Sequence, residues 1–193
     1  MKTDVIAVSN RGTEIEEALK LTETFAQTKG LDTKKALHLR LLTEEMMGMM
    51  RSITGETQGE FWIEDDTESA ELHLRVRTLL DPERRNQLIA ASTSGKNEAT
   101  RTLMGKLRSF FETGSVFTAP FVLDGNAEMY TAATAWSMAE YRDRLREYRA
   151  ANGEGAEEEW DELEKSVVSH VADEVKVRVE GDVAEMIIYK WML

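Results

Sequence analysis

The period of the apolar pattern changes along this chain, and that change limits the fold more than any other feature of the sequence. Leu72, Leu74 and Val76 alternate with His73, Arg75 and Arg77, and towards the C-terminus Val175, Val177 and Val179 alternate with Lys176 and Arg178. A period of two belongs to strands that bury one face and wet the other. Elsewhere apolar residues recur at steps of three and four, the spacing of an amphipathic helix. Strands towards both ends of the chain, around a helical middle, predict an α+β fold with one sheet.

Taken in order, Val5 to Val8 reads as a strand ended by Asn10-Arg11-Gly12. Thr13 with Glu16 forms a capping box, and Ile15, Ala18, Leu19, Thr22, Phe25 and Ala26 follow at helical spacing until Lys29-Gly30 closes the helix. Asp32 caps a second helix with an apolar face of Leu39, Leu42, Met46, Met49 and Ile53, stopped by Gly55. Residues 60–64 form a strand, Asp65 to Ser69 a polar turn, and residues 71–78 the partner strand. Helices are expected over about 81–91, opened by Asp81-Pro82, and over about 97–112. Residues 114–130 are apolar without a period. A later helix turns Met138, Tyr141, Leu145 and Tyr148 inward, and Trp160, Leu163, Val167 and Val171 make one further helical stripe. Gly181-Asp182 then turns a hairpin that returns through Met186-Ile187-Ile188-Tyr189. The expected architecture is a mixed, mostly antiparallel sheet covered by helices on one face. Residues 1–193 form a single domain, with a helical insertion at about 79–155 that packs Phe110, Phe111, Trp136 and Tyr141 onto the core.

Composition removes several function classes. Lys plus Arg is 24 against 36 Asp plus Glu, a net charge of −12, which opposes binding to nucleic-acid phosphates or to anionic lipid. No cysteine is present, which excludes disulfides, a thiol nucleophile, iron–sulfur ligation and thiolate zinc sites. The four apolar residues Val5 to Val8 are too few for a signal-peptide core, and no apolar run nears the roughly 18 residues of a transmembrane helix. The cytoplasm is the expected address.

The reactive residues are sparse. His38, His73 and His170 lie on separate elements with no HxxxH or HExxH spacing, so no metal site is expected, and His73 is placed on the wet face of its strand. Ser94-Gly95-Lys96 resembles part of a phosphate loop. Ala90 stands where its first glycine belongs and Asn97 where its Ser or Thr belongs, so a helix–helix corner is the expectation. The acidic run from Glu154 to Glu164 suits a solvated helix start. Met46, Met47, Met49 and Met50 suit the core and its edge. Glu45 is the sharper case: one turn from both Leu41 and Met49, it borders the buried stripe, where a carboxylate is partly desolvated. That is the setting of a general base, and equally that of an ordinary rim glutamate.

Three stretches together resemble the GHKL, or Bergerat-fold, ATPases, and among them the anti-sigma-factor serine kinases. They are the opening strand and two helices (residues 4–54, with Leu42-Thr43-Glu44-Glu45), the strand pair from Phe61 to Thr78, and the closing Val167 to Val175 with the hairpin to Trp191. The resemblance covers the two ends of the chain rather than the middle. It implies that Glu45 is the N-box glutamate, which activates water or a hydroxyl. The N-box asparagine, which holds magnesium, is Met49 here, and a thioether is too soft for that hard ion. The adenine-reading aspartate falls at Thr78, and the glycines of that motif are missing from Leu79-Leu80-Asp81-Pro82. Counting back from Asp173-Glu174-Val175 places Glu162, Leu163 and Glu164 where the second glycine box should open the final helix, and acidic side chains there repel a triphosphate. Gly153-Glu154-Gly155 lies upstream of that register.

Two main readings follow. In the first, the chain keeps the fold without the nucleotide: a non-catalytic regulatory or scaffolding protein with no cofactor, acting by protein–protein contact, with residues 114–130 covering the vacated pocket or meeting a partner. In the alternative it is an ATP- and magnesium-dependent serine/threonine kinase or ATPase, with Glu45 catalytic, Thr78 at the adenine, and Lys96 or Arg101 at the phosphates. A third reading puts another small ligand in the methionine-lined cleft. The resemblance also implies a homodimer.

Overall fold

The first helix ends as its sequence requires. Gly30 takes a φ of +63°, its N–H donates to the Gln27 carbonyl and the Leu31 N–H donates to the Ala26 carbonyl, each at 3.0 Å. These are the two bonds of a Schellman turn, and only a residue without Cβ adopts that backbone freely. The next helix opens as expected, with Asp32 Oδ1 accepting from the Lys35 N–H at 2.8 Å.

The computed structural model describes residues 1–9, 13–54, 58–66, 68–77, 134–151, 156–180 and 183–192. Their elements are β1 (Ile6–Ser9), α1 (Thr13–Thr28), α2 (Thr33–Thr54), β2 (Gln58–Asp65), β3 (Ser69–Arg77), β4 (Thr134–Ser137), α3 (Met138–Ala150), α4 (Ala156–Lys165), α5 (Val167–Val171), β5 (Glu174–Glu180) and β6 (Val183–Trp191). The fold is α+β. The strands form one sheet in the order β1-β2-β3-β6-β5-β4. Every pairing among them is antiparallel, so the mixed component expected of the sheet is not found in the described strands.

The pairing of β3 with β6, from Ser69 opposite Trp191 to Arg77 opposite Val183, joins the N-terminal strands to the C-terminal hairpin. Register then sorts the side chains. Phe61, Leu74, Met186 and Val177 stand in one cross-strand row, and Ile63, Leu72, Ile188 and Val175 in another. All eight are buried and belong to one core with Phe25, Leu39, Leu42, Met46, Met49, Tyr141, Leu145, Leu163 and Val168 from the helices. The helices therefore cover this face of the sheet. Thr22 and Thr43, both wholly buried, share a 2.9 Å hydrogen bond between α1 and α2 and each also bonds a carbonyl one turn back. Two hydroxyls can sit in an apolar helix interface only when paired in this way.

Several expectations are corrected. Residues 134–137, assigned to a helical insertion, form β4 at the edge of the sheet. Tyr148, expected to face inward, is 49% exposed, whereas Met138, Tyr141 and Leu145 are buried. Its spacing keeps it on the stripe, but it stands in the last turn of α3, past Leu145, the last buried residue of that helix. The stripe from Trp160 to Val171 is two helices rather than one: Ser166 takes an extended backbone, the phase changes there, and Val168 rather than Val167 is buried. The helices expected over 81–91 and 97–112, Phe110 and Phe111, and the apolar segment 114–130 lie outside the described residues.

Candidate functional site

α2 carries the residues for which the sequence suggests chemistry. Met46 and Met49 are buried in the core, and Glu45 lies beside them on the helix, half-buried at the edge of that stripe. Its carboxylate makes no hydrogen bond or ion pair with the described residues, whereas Glu44, one position earlier, meets Arg40 at 3.3 Å. The Met49 side chain is 1% exposed, so the position at which the resemblance implies a magnesium ligand is filled by packing. Thr78, Lys96 and Arg101 lie outside the described residues, and so does the Ser94-Gly95-Lys96 corner. Glu162 and Glu164 do not open a helix. They lie inside α4, and Leu163 between them is buried. The helix start is at Ala156, directly after Gly153-Glu154-Gly155. Among the described residues no cluster of His, Asp or Glu could hold a metal ion, and no helix is long and apolar enough to cross a membrane.

The opposite face of the sheet has its own organisation, which the strand patterns did not reveal. Trp62 of β2 stands opposite His73 of β3, and their rings stack at 4.8 Å between centroids with planes 11° apart. His73 is therefore 6% exposed, which corrects its placement on a wet face. Its Nε2 lies 3.3 Å from Glu71 and its Nδ1 3.6 Å from Glu185, although neither nitrogen makes a hydrogen bond. Lys2 Nζ sits 4.7 Å and the Arg75 guanidinium 5.1 Å from the centre of the Trp62 ring, so two cations flank one indole. Lys2 and the indole N–H both donate to Glu64 Oε1, at 2.9 and 2.7 Å, and these bonds hold that carboxyl below the usual range.

A charge ladder crosses the strands next to this stack. Glu60, Arg75, Glu185 and Arg178 stand side by side on β2, β3, β6 and β5, alternating in sign. On the other side of the stack, Tyr189 lies between Glu71 and Glu174; burial first, and then the carboxylates of Glu71, Glu174 and Glu185, push its hydroxyl pKa up. No sequence signal could have found the stacked pair, because residues 62 and 73 belong to different periodic segments and meet only through the register of β2 on β3. No family model matches this chain, and no curated protein matches it.

Proposed function

We propose that this chain is a non-catalytic protein on an ATPase-like fold, acting inside the cell in regulation or scaffolding through contact with a protein partner. The observation that carries the reading is the burial of Met49: a thioether 1% exposed in the core leaves no oxygen ligand for magnesium where the resemblance requires one. The element order supports the resemblance: a strand, two helices and a strand pair lie before residue 78, and a helix and a hairpin in the same sheet follow at residues 167–191. A fold does not carry its family's activity without the site residues.

A second reading, an ATP-binding serine/threonine kinase with a divergent site, is favoured by two observations. α4 opens directly after a glycine pair, and Glu45 has no partner among the described residues. Calorimetric titration with ATP and magnesium separates the two readings, applied to the wild type, Glu45→Gln and Met49→Asn. The expected result is no saturable heat from any of the three. Micromolar binding by the wild type, weakened on removal of magnesium, overturns the non-catalytic reading.

A further inference from the structure

The charge ladder ends in an imbalance. Arg75 is matched, 3.5 Å from Glu185 and 3.9 Å from Glu60. Arg178 at the end of the same row, and Arg77 two residues further along β3, make no ion pair or hydrogen bond with any described residue. Val183 stands opposite Arg77, with Glu180 next in that row on β5, and Ala135 stands on one side of Arg178, while Glu185 on its other side is already engaged by Arg75 and faces His73.

Arg77 and Arg178 both line one open groove of about 820 Å³ at the end of β2, β3 and β6. That volume suits a small ligand rather than a single ion. Gln58, Glu60 and Glu185 share the lining, with Ala7, Gly59, Val76 and Val183 as its apolar part, so among the described lining residues three arginines face two glutamates. Planar guanidinium forks pair with phosphate oxygens two at a time, and two of them match the charge of a phosphomonoester dianion. The two carboxylates, which would repel a bare anion, accept from hydroxyl or amino groups on the body of a larger one.

We propose that this groove binds a phosphomonoester through Arg77 and Arg178, with Glu60 and Glu185 receiving hydrogen-bond donors on the rest of the ligand. The site does not include Glu45 and is independent of the fate of the ATPase-like reading. The same chemistry is offered by a free sugar phosphate and by a phosphorylated serine, and the test separates them. The full chain is titrated in a calorimeter with inorganic phosphate, ribose 5-phosphate and a phosphoserine peptide. Each titration is repeated on Arg77→Gln, Arg178→Gln and the double variant, with Arg146→Gln on α3 as the control. Both groove arginines are exposed, so melting temperatures should stay level across the set. Saturable binding of ribose 5-phosphate, weakened about tenfold or more by each single variant and unchanged in the control, supports a small-molecule site. Binding of the phosphopeptide alone, with the same losses, supports the phosphomonoester site and places the group on a protein partner. Absence of binding by all three ligands at millimolar concentration, or binding indifferent to both arginines, overturns the proposal.

Discussion

Gly59 has no room for a side chain: a Cβ there would stand 2.8 Å from the Arg75 carbonyl oxygen and 2.9 Å from Val76 Cγ1. Both obstacles belong to a paired, buried strand that cannot retreat. Gly59→Ala should therefore cost about 1–3 kcal/mol, read as a lower urea midpoint at unchanged slope. Met49→Asn, which supplies the asparagine that the resemblance implies there, puts an amide into an apolar core and should cost about 2–5 kcal/mol by the same measurement. An unchanged midpoint would show that position 49 opens onto a wet cleft. Asp65 carries the pH dependence at this scale. Burial raises its pKa, but Lys29 and the terminal ammonium of Met1 outweigh burial and hold the carboxyl below its usual value. A depressed folded pKa gives stability that is complete above the unfolded value and fades as pH falls below about 4. The stability gap between wild type and Lys29→Met should accordingly be widest near neutrality and close towards pH 3, and a gap that stays constant across that range would contradict the pairing.

α3 shows how an element can depend on a residue far from it in sequence. Its first N–H groups, those of Met138 and Ala139, donate to Glu174 Oε1 of β5 at 3.0 and 3.2 Å, while Ser137 Oγ accepts from the Glu140 N–H at 3.3 Å. A carboxylate at a helix N-terminus satisfies donors and complements the dipole. Glu174→Ala should destabilise the protein by about 1–2 kcal/mol, and Glu174→Gln by less, since the amide oxygen can still accept. Equal melting temperatures for Glu174→Ala and the wild type would remove the cap from the account. The ends of α1 and the start of α2 were legible because their signals, Lys29-Gly30 and Asp32, act within a few residues. The break between α4 and α5 was not. Ser166 carries no breaker chemistry of its own; the turn is held by Ser169, whose Oγ donates to the carbonyls of Leu163 and Ser166.

Across the whole molecule, β3 and β6 are the join on which everything else depends. They pair residues more than a hundred positions apart, and the core on one side of that pairing contains residues of α1, α2, α3, α4 and α5. Neither end of the chain can keep its buried face without the other, so unfolding should be a single cooperative step. Tryptophan fluorescence and far-ultraviolet circular dichroism should trace coincident denaturant curves for the wild type and for Leu72→Ala, shifted together in the variant. Two separated transitions would show that the terminal hairpin is stable alone. The sequence by itself determined the type and approximate bounds of most described elements, the apolar face of each, and the edge position of Glu45, because period and capping are properties of neighbouring residues. It could not place β4 in the sheet, bury His73 against Trp62 or bring Arg77 and Arg178 to one groove. Those outcomes depend on which strand pairs with which and in what register, and register is decided only when distant segments close on a common core.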